Sequence, residues 1–275
     1  MNVLPVVDLS DPRVAPFRSM RDAALMRERG LFVAEGRLTV ERIVTDGRHQ
    51  VDALLLNQAS LDALRPALAS LSTDTPIFTC ENSAFQHLTG VDLHRGCLAL
   101  VRRPQPQTVA QVLDQSSVVV VLEAVTNADN VGSVFRTAAA FGVGAVLLSP
   151  TCCDPLYRKA IRTSMGAALR LNFARVEPWP AGLASLRAEG FTIVALSPRE
   201  PSTPLDAYVE GRRLVPGRSW PPRVALLVGT EGAGLSDAAE HEADVRVRIP
   251  IRPEVDSLNL GVATGIALSR LTALS

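Results

Sequence analysis

Apolar and polar positions along the 275-residue chain alternate between short apolar runs and stretches with helical spacing. LFVAEG (31–36), VDALLLN (51–57), PIFTC (76–80) and CLALV (97–101) are rich in Val, Leu, Ile and Phe and predict strands. RLTVERIVTDG (37–47), ASLDALRPALASL (59–71) and ENSAFQHLTG (81–90) lie between them and predict helices. Residues 1–30, charged and with mixed apolar spacing, predict a helix ahead of the first strand. Such alternation builds a small α/β layer structure. RRPQPQTVAQVLDQSS (102–117), rich in Pro and Gln, breaks the pattern and marks a domain boundary. The N-terminal domain is therefore expected over 1–105 and the second over 106–275.

The second alternation is longer. SVVVVLEAV (117–125) is a continuous apolar run, as a strand buried on both faces requires. GAVLLS, FTIVAL, RVALLVG and VRVRIP follow as further strands, with helices between most of them. The pattern predicts a doubly wound parallel sheet, which binds ligands beyond the carboxyl ends of its strands. The last segment, LNLGVATGIALSRLTALS, reads as an apolar helix that needs a partner surface, in its own domain or in a second subunit.

Composition narrows the class. At 47% hydrophobic and 20% charged residues the chain is an ordinary globular protein, and no apolar stretch is long enough to span a bilayer. The N-terminus lacks a signal-peptide pattern, so a cytoplasmic location is expected. Cys80, Cys97, Cys152 and Cys153 form no CxxC pair and four scattered histidines complete no ligand set; no metal is expected, and the thiols read as reduced and structural. Formal net charge is zero, which argues against a strongly basic nucleic-acid coat. Its distribution says more: Arg158, Lys159, Arg162, Arg170 and Arg175 fall within 155–175 with no acid, a candidate phosphate-facing patch.

Three polar turns follow predicted strands. In TNADNVGSVFRTAAAFG (126–142), Val131, Val134, Phe135, Ala138 and Phe141 recur at helical spacing, and Arg136 stands in the second turn of the expected helix. A cation there opposes the macrodipole, so an anion such as a phosphate would explain it; an Asn/Asp cap with an incidental surface Arg is the plainer alternative. GTEGAGLS (229–236) is glycine-rich but lacks the Gly-Lys-Ser/Thr of a phosphate loop. Its Glu231 would repel a phosphate and suits hydroxyls, an amine or a neutral ring, with the carboxylate free to pair with Arg136; a plain glycine turn is the alternative. In IPIRPEVDSLNLGVATG (249–265), Ser257 and Asn259 flank Leu258, and either could cap the final helix or position a hydroxyl substrate.

In this order the three turns resemble the SpoU (TrmH) family of RNA ribose methyltransferases, within the SPOUT superfamily. NADNVGSVFRTAAAFG resembles the first family motif, LLVGTEGAGLS the second and IPIRPEVDSLNLGVATGIAL the third; the resemblance runs from about residue 118 to 275. FVAEGRLTVERIV is similar to the ribosomal-protein-like substrate-binding domain of many members. Ala128 stands where many members carry Pro, and LNLGVA replaces the commoner LNVSVA. The resemblance implies an α/β fold with a C-terminal parallel-sheet SPOUT domain, a deep trefoil knot and a small N-terminal α/β domain. It implies catalytic roles for Asn130, Arg136, Glu231, Ser257 and Asn259, and S-adenosyl-L-methionine held by Gly229, Ile249 and Leu258. It also implies a homodimer packed through the knotted region, which would give the last helix its partner.

The expected reaction is methyl transfer from S-adenosylmethionine to a ribose 2′-hydroxyl of rRNA or tRNA, with Arg158, Lys159 and Arg162 contacting RNA. Arg136 would stabilise charge, Glu231 would fix Arg136, Ser257 and Asn259 would orient the ribose, and Asn130 would shape its turn. A rival is a non-catalytic RNA-binding or ribosome-assembly protein on the same fold. A nucleotide-binding oxidoreductase would need GxGxxG after its first strand, which NADNVGSVFR lacks.

Overall fold

A computed structural model describes every residue except 8–9, 18–21, 83–95, 115, 214–222 and 273–275. The chain forms two compact units, Met1–Gln105 with Leu156–Leu169, and Pro106–Pro155 with Arg170–Ser275. In the first, β1 (Asn2–Pro5), α1 (Asp22–Arg29), β2 (Leu31–Glu35), α2 (Arg37–Asp46), β3 (Val51–Leu56), α3 (Gln58–Leu68), β4 (Pro76–Thr79) and β5 (Cys97–Arg102) follow in order. The sheet runs β1-β4-β3-β5-β2; β1, β4 and β3 are parallel, and β5 runs antiparallel to both β3 and β2. Leu31, Val33, Ala53, Leu55, Leu98 and Leu100 alternate onto one face and bury Val14, Phe17 and Leu25 against it.

The N-terminal thirty residues carry the expected helix, α1, leading into β2, but it fills only their end. They open with β1, which exists because its backbone pairs with β4, and a 3-10 turn at Pro12–Phe17 precedes α1. A four-residue edge strand with mostly exposed side chains carries no apolar alternation to read. The helix expected over 81–90 lies almost wholly outside the described residues.

The second unit contains α4 (Val109–Leu113), β6 (Val118–Leu122), α5 (Ala128–Ala140) and β7 (Ala145–Leu148). The chain then contributes α6 (Arg158–Thr163) to the first unit, where it packs on β2. Returning, it forms β8 (Asn172–Arg175), α7 (Ala184–Ala188), β9 (Thr192–Leu196), β10 (Thr203–Pro204), α8 (Leu205–Arg213), β11 (Val224–Val228), α9 (Asp237–His241), β12 (Val245–Arg248) and α10 (Leu260–Leu271). All seven strands are parallel, in the order β10-β12-β9-β11-β6-β7-β8. The central β6 and β11 are buried at every position, the reason both read as unbroken apolar runs.

Two sequence readings change. The Pro/Gln-rich boundary stretch holds α4, started by a capping box in which Thr108 and Gln111 bond each other's backbone N–H. The segment 156–169, expected within the second domain, belongs to the first unit. None of the four cysteines forms a disulfide, and burial pushes the Cys80 and Cys97 thiols up to about 11 and about 12. No helix of the described residues is long and apolar enough to cross a membrane.

Candidate active site

The carboxyl ends of β9, β11 and β12 carry the site. From Val228 the chain enters a tight loop in which Thr230 bridges Gly234, with the Gly234 N–H donating to the Thr230 carbonyl at 3.0 Å. Gly232 and Gly234 adopt φ of 83° and 71°, conformations that favour glycine. Gly229 is required for a different reason: a β-carbon there would stand closer than 3.0 Å to the Gly234 carbonyl group and the Leu235 nitrogen.

The loop brings Glu231 to the start of α10. Asn259 is the N-cap, its Oδ1 accepting from the N–H groups of Gly261 (3.0 Å) and Val262 (3.3 Å). Its Nδ2 donates to Glu231 Oε1 at 2.8 Å, and the Leu260 N–H reaches the same oxygen at 3.4 Å. The second and third turns therefore meet through a carboxylate–amide pair. This corrects the expected partner of Glu231, which engages Asn259 and not Arg136. The positive end of α10 draws the carboxylate in.

Asn259 is consequently a stability determinant as well as a site residue. Asn259→Ala should cost about 1 kcal/mol through cap loss alone, a fall in Tm of roughly 2–4 °C. Asn259→Asp keeps the cap but sets a second carboxylate against Glu231, and adding Glu231→Gln should restore the lost stability. Thermal melts of the single and double variants check this, and an N259A protein melting like the parent would exclude the cap.

The first turn is supported from below. Asn127 caps α5 by accepting from the Asp129 N–H at 2.9 Å, and Asn130 is buried in the first helical turn. Because α5 starts at Ala128, Arg136 lies in the third turn and not the second. Dipole opposition fades beyond the first turn, so it is a weaker argument for an anion than the sequence suggested. Arg136 is exposed and makes no ion pair among the described residues. α5 packs on α10 through small residues: a β-carbon on Gly261 would collide with Ser133, and one on Gly265 would touch Thr137 at 3.4 Å. Arg136, next to Thr137, flanks that seam.

Gly229, Glu231, Ile249, Ser257 and Leu258 line one cavity of about 190 Å³. Asn259 borders it through Glu231, while Asn130 and Arg136 are not among its lining residues. One wall escaped sequence reasoning: Leu196, Ser197 and Pro198 at the end of β9. Their strand was legible, but its use as a wall depends on β9 lying beside β11. Asp256 also lines the cavity. The described lining includes two carboxylates and no lysine, arginine or histidine.

Two arginines of the basic stretch 155–175 lie beside acids from elsewhere in the chain. The Arg158 N–H donates to Asp22 at 2.8 Å, and its half-buried guanidinium lies 3.8 Å from the same carboxylate. Arg162 lies 3.8 Å from Glu35 with 46% of its side chain exposed. Arg175 donates to the carbonyls of Ser149, Pro150 and Cys152. The segment lacks acids in sequence, but tertiary structure supplies them. No group of three or more metal-ligating side chains occurs among the described residues.

The SpoU rRNA Methylase family model matches residues 117–269, which span all three turns. The chain belongs to this family. It is 37% identical over 276 aligned residues to an uncharacterized tRNA/rRNA methyltransferase of Mycobacterium bovis, covering 99% of this chain and 92% of the relative. A 23S rRNA (guanosine-2′-O-)-methyltransferase of Acinetobacter baylyi is 30% identical over 67% of this chain and 73% of its own length. Among solved structures, an AdoMet-bound rRNA methyltransferase from Sinorhizobium meliloti superposes with a TM-score of 0.80 at 24% identity, covering 98% of this chain and 97% of that one. That likeness extends the shared fold across both units of this SpoU family member.

Proposed function

We propose that this protein transfers the methyl group of S-adenosylmethionine to a ribose 2′-hydroxyl of ribosomal or transfer RNA. The observation that carries the cofactor assignment is the cavity lining, apolar on Leu196, Ile249 and Leu258, acidic at Glu231 and Asp256, and without a basic side chain. Such walls reject a phosphate-bearing nucleotide and accept an apolar ring attached to a cationic group. S-adenosylmethionine combines an adenosine with a sulfonium and an ammonium, so the residues present fit it. The 2′-hydroxyl is supported by family membership and by the named activity of the Acinetobacter relative.

When bound, the cofactor supplies an electrophilic methyl group on sulfur. The chain's own residues hold and polarise the acceptor. Glu231 fixes Asn259, leaving one Nδ2–H to orient the ribose beside the Ser257 hydroxyl, while Asn130 shapes the turn leading to Arg136. Arg136 stabilises the phosphate and the developing alkoxide; its proton affinity makes it a poor base. Lys159 and Arg162 of the first unit contact RNA phosphates, whereas the Arg158 side chain is only 17% exposed beside Asp22. We further place the C-terminal segment in a trefoil knot and pair two copies through α10, whose Val262 and Ile266 are exposed.

Purified protein incubated with methyl-labelled cofactor and bulk rRNA or tRNA should place label on alkali-resistant dinucleotides, since a 2′-O-methyl blocks strand cleavage. RNA affinity should fall about tenfold or more between 50 and 200 mM salt if two or three phosphates are contacted. Label on bases would refute ribose chemistry. RNA binding without transfer would leave the non-catalytic alternative.

A further inference from the structure

β6 ends in an acid. Glu123 follows an entirely apolar strand, is 6% exposed, and forms no ion pair among the described residues. Three donors hold its carboxylate: the Ser236 N–H at 2.8 Å, the Ser236 hydroxyl at 2.7 Å and the Trp179 indole N–H at 2.9 Å. Its own N–H donates to the Val228 carbonyl at 2.9 Å. Val228 immediately precedes the 229–236 loop and Ser236 closes it, so one residue grips both ends of the segment carrying Gly229 and Glu231. Ser236 also caps α9, its Oγ accepting from the Ala239 N–H at 3.1 Å.

Burying a carboxylate without a counter-charge is costly unless hydrogen bonds compensate it. Here every donor points at an acceptor-only group. A glutamine would fail in either amide orientation, because its NH₂ would face the Ser236 N–H or the Trp179 N–H. The position therefore selects a carboxylate for its geometry toward the loop.

We propose that Glu123 is a positioning residue that latches the 229–236 loop in its cofactor-binding shape. This rests on the reading that the cavity beside that loop holds S-adenosylmethionine. Glu123 lies outside the cavity lining and acts through Ser236.

The test is calorimetric titration of the full-length protein with S-adenosylmethionine, together with steady-state kinetics. Glu123→Gln should weaken cofactor binding about tenfold or more and raise its KM in proportion, with kcat at saturating cofactor within about threefold of the parent. Trp179→Phe removes a donor to the same carboxylate without touching the loop, and should leave cofactor affinity within about twofold. Were E123Q too unstable to purify, Ser236→Ala serves, with a weakening of about threefold or more. Parent-like affinity in folded E123Q, or in S236A, overturns the latch, as does a W179F defect equal to that of E123Q. Gly229→Ala separates the two readings: if it abolishes binding while E123Q is silent, the latch falls and the cavity assignment stands. If neither variant affects binding, both fall.

Discussion

Replacing Gly229 by alanine should abolish measurable cofactor binding, a loss of about 100-fold or more in affinity, and lower Tm by roughly 3–10 °C. The new methyl group would meet the Gly234 carbonyl and the Leu235 nitrogen. These are backbone atoms and cannot rotate aside as a side chain would. The loop must therefore open, and insertion of this kind costs about 1–3 kcal/mol. Opening breaks the Thr230–Gly234 bridge and moves Glu231 away from Asn259. Gly190→Ala is the control, since its φ of 79° is strained for alanine, its β-carbon meets nothing within 4 Å and it lies outside the cavity lining. Its cost should stay near 1 kcal/mol, with cofactor affinity largely kept. Calorimetry and thermal melts on both variants decide the matter. Binding within threefold of the parent in G229A would remove the loop from the cofactor site.

Arg136→Lys should reduce methyl transfer by about 10²–10³ while cofactor affinity and Tm stay at parental values. The position is exposed and carries no ion pair among the described residues, so stability has little stake in it. Lysine keeps the charge but loses the planar fork that grips a phosphate or an oxyanion through two parallel N–H groups. A mere surface cation would tolerate the exchange. Single-turnover rates at saturating RNA and cofactor separate these cases, and near-parental turnover would refute bidentate stabilisation at this position.

The chemistry-bearing turns were legible because their signals are local. Glycines at 232 and 234, an asparagine cap at 127 and apolar strands with unbroken cores each follow from a few consecutive residues. Contacts made between such segments were not legible. Glu231 was expected to pair with Arg136, but the helix end at Asn259 offers it an amide and a backbone N–H. The 155–175 stretch looked uncompensated, since Asp22 and Glu35 lie far away along the chain. β1 and β10 are strands only through pairing with β4 and β12. Glu123 passed unread inside the apolar run SVVVVLEAV, because its meaning required Ser236 and Trp179 to converge on it.

The sequence by itself determined the alternation of strands and helices, the parallel class of the second sheet and the three turns that bear the family's motifs. Periodicity and turn chemistry are written in neighbouring residues, so they survive without coordinates. Tertiary structure alone decided which strand ends share a cavity, which acids neutralise which arginines, and that Leu156–Leu169 joins the first unit. Those outcomes depend on distances between residues tens of positions apart, which no local pattern encodes.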